Sequence, residues 1–138
     1  MRVRSWPATI AAALAVVLML GTAFGLAREV WQKRQETATQ AIRLTAGDPD
    51  RGEVLIQRFG CGGCHDIPGI PGARGRVGPP LGGIASRVYI GGKYANKPAN
   101  MIAWIQHPQA MDPGIDMPEM GITEPQARDI AAYLYTLQ

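Results

Sequence analysis

The chain has 138 residues, 46% of them hydrophobic, with 14 Lys/Arg against 11 Asp/Glu and a formal net charge of +3. Residues 1–46 hold six of the basic residues and two of the acids, so residues 47–138 are nearly neutral. That distribution excludes the basic footprint of a nucleic-acid-binding domain, and about 90 residues allow only a modest core.

No charge lies between Ser5 and Ala27, and the stretch is mostly Ala, Val, Leu, Ile and Met. A bilayer-spanning helix needs about 20 apolar residues, whereas a signal-peptide core needs about 7–15. Residues 6–27 are long enough to span, so residues 1–27 read as a signal anchor. Gly25-Leu26-Ala27 also resembles a weak small-x-small cleavage site, which keeps a cleaved signal peptide as the alternative. Arg2 and Arg4 precede the segment, while Arg28, Lys33, Arg34 and Arg43 lie after it. Counted alone, these charges lean against export of residues 28–138. Residues 28–46 contain neither Gly nor Pro. They read as a helix extension or a linker, with Trp31 at a membrane interface.

Asp48-Pro49 is a helix start, with Asp48 as N-cap and Pro49 at the first helical position. Val54, Leu55, Arg58 and Phe59 come next at helical spacing, and this helix runs into Cys61-Gly62-Gly63-Cys64-His65. The pattern C-x-x-C-H is the attachment signature of c-type haem. Two thiols about one helical turn apart can join one edge of a porphyrin, and the adjacent His65 falls beneath the iron. A bare C-x-x-C also occurs in redox dithiols and in zinc sites. Zinc would need four ligands, and only His65 and His107 supplement the two thiols. A thioredoxin-like pair should come after a strand in a βαβ pattern, which is absent from the sequence. The haem motif decides the export question, and places residues 28–138 in the periplasm or an equivalent compartment.

Residues 60–83 contain nine glycines and four prolines, a composition unable to form a regular helix or strand. So long a loop in a small domain is expected to wrap something. Residues 100–107 predict a short helix stopped by Pro108. Met117, in Pro113-Gly114-Ile115-Asp116-Met117-Pro118, is the leading candidate for a second axial ligand, since a thioether is a soft donor and a Met-Pro loop is poor core material. Met111, Met120 and His107 compete for that position, and an open position is the remaining alternative. Thr123 with Gln126 predicts a capping box for a last helix, whose Ala127, Ile130, Ala131, Leu134 and Leu137 form an apolar face. Charge is uneven: residues 58–97 hold six basic residues against Asp66, and residues 112–129 hold five acids against Arg128. This is either ordinary solvated surface or a dipole whose basic side steers towards acidic partners.

With C-x-x-C-H, the element Gly78-Pro79-Pro80-Leu81 and a Met-Pro loop before a final helix, residues 47–138 resemble class I cytochrome c. The resemblance implies an all-α domain of three main helices wrapped around one covalent haem c, preceded here by a transmembrane helix. It implies that the Pro79 carbonyl accepts a hydrogen bond from His65, that Leu81 packs on the haem, and that Arg87 pairs with a propionate. Trp104 takes the place beside the Met ligand where many members have Tyr. Gly52 matches the small residue where first and last helices cross, with Ala131 or Leu134 as expected partners. The implied function is single-electron transfer without bond-making catalysis, between redox proteins such as a quinol-oxidising cytochrome complex and a terminal oxidase, or as a haem subunit of such a complex. An anchor would confine it to the membrane plane near those partners. The rivals are a haem enzyme or gas sensor with a labile sixth ligand, and a haem-free dithiol protein.

Overall fold

A computed structural model describes residues 6–138. Arg2 and Arg4, which entered the orientation argument, lie outside the described residues. By its contacts the chain forms two units, one ending at Gln35 and the other Glu36–Gln138.

Helix α1 (Trp6–Thr45) is continuous. Its apolar part is long enough to cross a membrane, with a mean hydropathy of 2.3 over its most apolar window and none of that window buried in the protein. Signal sequences meet the same criterion. Within the second unit, Ala41 and Thr45 are buried. The helix stops at Ala46, a non-glycine residue at φ +55°. There the Thr45 hydroxyl donates to the Ala41 carbonyl at 2.8 Å and accepts from the Gly47 amide at 3.1 Å. The Thr45 carbonyl, which the helix end leaves free, accepts from Arg128 at 3.1 Å.

Helix α2 (Pro49–Arg58) is capped as its sequence predicts: Asp48 Oδ1 accepts from the amides of Asp50 and Arg51 at 2.9 and 3.2 Å. It crosses α5 (Glu124–Thr136) at Gly52. A Cβ on Gly52 would stand 2.1 Å from the Asp129 carbonyl oxygen and 3.0 Å from Tyr133 Cβ. The facing residues are thus Asp129 and Tyr133, not the expected Ala131 or Leu134. Positions 129 and 133 are an i, i+4 pair on one ridge of α5, and the α2 backbone rests against it at Gly52. Asp129 also ties the crossing together. Its carboxylate accepts from the Asp48 amide at 2.7 Å and from Arg51 Nε and an Arg51 terminal nitrogen at 2.9 and 3.0 Å.

Helix α3 (Pro98–Gln106) begins two residues before the expected start, because Pro98 occupies its first turn. Pro108 ends it and opens a further short helix, α4 (Pro108–Met111), where the sequence predicts only loop. Proline does both, since its missing N–H is harmless in a first turn. The predicted capping box opens α5, with the Thr123 amide donating to Gln126 Oε1 at 3.0 Å. Ala127, Ile130, Ala131 and Leu134 are buried, and pack with Ile56, Met101, Trp104 and Ile105 in one core.

The other departure from the expected helices is a hairpin of β1 (Tyr89–Ile90) and β2 (Tyr94–Ala95), paired antiparallel with Ile90 opposite Tyr94. Its turn uses Gly91 and Gly92 at φ +56° and +72°, the left-handed region that glycine enters without cost. Two tyrosines of α5 fasten the loops around it. Tyr133 donates to the Pro68 carbonyl at 2.8 Å and Tyr135 to Asn96 Oδ1 at 2.9 Å. Asn96 in turn donates to the carbonyls of Ile84 and Arg87.

Candidate functional site

Helix α2 delivers the motif. After Gly60, at φ +69°, a 3-10 turn runs over Cys61–Gly63. The amides of Cys64 and His65 both donate to the Cys61 carbonyl, at 3.2 and 3.0 Å. The single turn sets both thiols and the imidazole on one short stretch. Cys61 and Cys64 are half-buried and form no disulfide. Burial pushes the Cys61 thiol above its ordinary pKa, with the neighbouring Cys64 adding to the rise. A reactive dithiol shows the opposite, a depressed thiol pKa.

The Gly-rich loop is built against this turn rather than around empty space. The Gly75 amide lies 3.1 Å from the Gly62 carbonyl oxygen and 3.2 Å from that of His65, and the Gly78 amide donates to the Cys64 carbonyl at 2.9 Å. Side chains would not fit: a Cβ on Gly75 would stand 2.4 Å from the Cys64 carbonyl carbon, and one on Gly62 2.6 Å from Ala73 Cβ. Ile67, Ile70 and Ala73 turn into the core. Composition concealed this order, because backbone pairing such as Ile67 to Ala73 at 3.2 Å leaves no periodic signal.

His65 Nδ1 lies 2.8 Å from the Pro79 carbonyl oxygen. A carbonyl can only accept, so Nδ1 is the donor in this contact, which leaves Nε2 as the nitrogen open to a metal. The expected proline–histidine bond is therefore present. Gly78 is packed flat against the imidazole, where a Cβ would stand 2.3 Å from Cε1 and 2.6 Å from Nδ1. No cluster of three His, Cys, Asp or Glu side chains that could hold a bare metal ion exists among the described residues. Two thiols on one turn with a histidine oriented for Nε2 ligation fit a covalently attached haem.

Leu81 is half-buried against the core, and its amide donates to the Asp66 carbonyl at 2.8 Å. The Arg87 guanidinium donates to the carbonyls of Pro80 and Gly82, bracing the loop just beyond Pro79. Trp104 on α3 is buried, and meets the Tyr94 ring at a centroid distance of 6.0 Å and an angle of 54°. Met117 is half-buried and packs on the same core as Cys61 and Leu81. Of its competitors, Met111 also packs on that core, Met120 is exposed, and exposed His107 places Nδ1 3.3 Å from Glu119. Hydrogen bonds directly link Cys61, Cys64, His65 and Pro79; Met117 and Trp104 arrive through the core. Lys93 and Tyr94, whose hairpin touches the start of the Met117 loop, are not among the residues expected from the sequence. The Gly91-Gly92 pair was the available signal.

Residues 49–138 match the cytochrome c family, and the chain belongs to that family. It is 37% identical over 106 residues to a cytochrome c2 of Rhodopila globiformis, covering 67% of this chain and 95% of the relative. It is 36% identical over 102 residues to a cytochrome c2 of Rhodoblastus acidophilus, covering 64% and 92%. A cytochrome c oxidase subunit 2 of Alkalihalophilus pseudofirmus is 30% identical over 90 residues, which is 64% of this chain and 25% of that protein. No solved structure matches. The domain is a class I mono-haem cytochrome c that carries covalent haem c and serves electron transport.

Proposed function

We propose that this chain is a single-electron carrier of a bacterial respiratory chain whose one haem c is ligated by His65 and Met117. Residues 1–27 act as a retained anchor with residues 6–27 in the inner membrane, residues 28–46 connect, and residues 47–138 form the haem domain in the periplasm. Its partners are a quinol-oxidising cytochrome complex and a terminal oxidase. The similarity to an oxidase subunit 2 supports the variant in which the domain is bound as a subunit of such a complex.

Bound haem c supplies a one-electron iron couple. The chain's residues do the rest. Cys61 and Cys64 hold the macrocycle covalently, and Leu81 and Trp104 supply apolar surface that excludes water. Pro79 holds the proton on His65 Nδ1, which fixes the ring and raises the basicity of Nε2. Met117 would supply iron with a thioether, a soft donor that favours the reduced state, and Arg87 would pair with a propionate. The observation that supports this reading is the 2.8 Å His65–Pro79 contact, which leaves Nε2 as the ring nitrogen open to iron. The test is the absorption spectrum of oxidised protein matured in a host with haem-attachment machinery. A Soret band surviving acid-acetone extraction, with the weak far-red band of Met-to-Fe(III) ligation, is expected. Covalent haem in a high-spin form without that band would instead indicate an enzyme or sensor with an open sixth position.

A further inference from the structure

The loop that carries Met117 has little backbone support of its own. Beyond the Ile115 amide, which donates to the Asp112 carbonyl at 3.0 Å, the amides of residues 116–121 donate to no backbone carbonyl. Pro113 and Pro118 remove two of the loop's donors. Where the loop leaves α4, the hairpin grips it twice. Tyr94 donates its hydroxyl to the Met111 carbonyl at 2.6 Å, a carbonyl that a helix C-terminus leaves without an intrahelical partner. Lys93 Nζ meets Asp112 Oδ2 at 2.8 Å. The hairpin is itself fixed. Gly91 lies so close to Trp104 that a Cβ would stand 2.5 Å from the indole edge, and Trp104 packs on the Tyr94 ring. Asn96 ties the far end of the hairpin to Tyr135 of α5.

We infer that Tyr94 and Lys93 are positioning residues for the sixth ligand: acting through Met111 and Asp112, they hold the Met117 loop in its closed position. This inference rests on the His65/Met117 reading. Neither residue touches the haem site in this role. The clasp lies five and six residues before Met117, so its loss frees the loop while leaving the His65 side, held by Pro79 and Gly78, unchanged.

The test uses full-length ferric holoprotein, with exogenous imidazole as a probe that competes for the sixth position and the far-red band as the reporter of Met117 ligation. Tyr94→Phe keeps the ring against Trp104 and removes only the hydroxyl. It is expected to raise the apparent imidazole affinity about five-fold, as the loss of one neutral hydrogen bond allows. Lys93→Gln should act in the same direction, and Lys93→Arg should restore the parent value. Arg51→Gln, which loosens the distant α2–α5 crossing, controls for general destabilisation. It should lower the denaturant midpoint without changing imidazole binding. The inference is overturned if Tyr94→Phe and Lys93→Gln bind imidazole as the parent does. It is also overturned if Arg51→Gln changes binding as much as they do. A parent protein without the far-red band would remove the Met117 reading itself, which is a distinguishable failure.

Discussion

Replacing Gly78 by alanine tests whether the loop backbone, and not the histidine alone, sets the proximal ligand. The new Cβ would stand 2.3 Å from His65 Cε1, 2.6 Å from Nδ1 and 2.9 Å from Nε2. Ordinary contact between such atoms is about 3.5–4.0 Å, so the ring must retreat by more than about 1 Å. Retreat of that size breaks the Nδ1–Pro79 bond, now at 2.8 Å. Overpacking costs about 1–3 kcal/mol, and the lost hydrogen bond about 0.5–1.5 kcal/mol. The expected destabilisation is therefore about 1.5–4.5 kcal/mol, measured by equilibrium denaturant unfolding of the holoprotein. A histidine without its carbonyl partner is a weaker donor. The oxidised state loses more than the reduced state, so the potential should rise in a redox titration. Gly63→Ala is the control, because nothing lies within 4 Å of its new Cβ, and it should stay within about 0.5 kcal/mol of the parent. A Gly78→Ala protein with the parent's unfolding midpoint and potential would refute the reasoning.

Four further outcomes are expected. Met117→Leu should abolish the far-red band and admit imidazole at the sixth position while covalent haem is retained, as read by absorption; a retained band would move the ligand to another residue. Gly52→Ala should separate α2 from the Asp129 backbone and lower stability by about 1–3 kcal/mol or more, read from urea unfolding. Gln126→Ala removes half of the capping box on α5 and should cost about 0.5–1.5 kcal/mol, read from the same unfolding curve. Asp129→Asn should destabilise in a pH-dependent manner. Burial pushes the Asp129 carboxyl up, but the Arg51 hydrogen bond, the Asp48 amide and the Arg51 charge together bring it below the ordinary 3.8. A depressed carboxyl stabilises the fold fully above its unfolded pKa and loses that contribution as pH falls through the folded one. The gap between parent and variant should thus be constant above about pH 5 and close below about pH 4, monitored by thermal unfolding across the acid range.

The signals legible in the sequence were the ones that local chemistry dictates. C-x-x-C-H places three functional groups within five residues, and Asp48-Pro49 and the Thr123–Gln126 pair mark helix starts by hydrogen bonds made within one turn. Both helix starts appear in the structure with the expected partners. The hairpin escaped because each strand is two residues long, below the length at which alternation can be distinguished from chance. The α4 turn escaped because a proline that terminates one helix is also suited to begin another. Identifying Gly52 as a crossing residue required only its size, whereas naming its partners required the rotation of α5 about its axis. Ala131 and Leu134 share the apolar face with Ile130, yet the atoms that meet Gly52 belong to Asp129 and Tyr133.

The same close approach explains why the domain tolerates so little side-chain bulk at its centre. At Gly52, Gly75 and Gly78 the missing Cβ lets backbone rest on backbone or on the His65 ring. Gly52 sets the height of α2 on α5, and Gly75 and Gly78 set the return of the loop onto the Cys61–His65 turn. A covalent haem contributes apolar surface that a domain of about 90 residues otherwise lacks, but only if the walls of its site already stand at the right separation. On the Met117 side no comparable run of backbone contacts exists among the described residues, and side chains from the hairpin take over the task. The two faces of the site are accordingly held by different means. The histidine face depends on glycines and backbone hydrogen bonds, which resist gradual displacement. On the proposed His65/Met117 reading, the methionine face would depend on an exposed ion pair and one tyrosine hydroxyl, which single substitutions can release. Loosening of the site should therefore begin with Met117 and leave His65 in place.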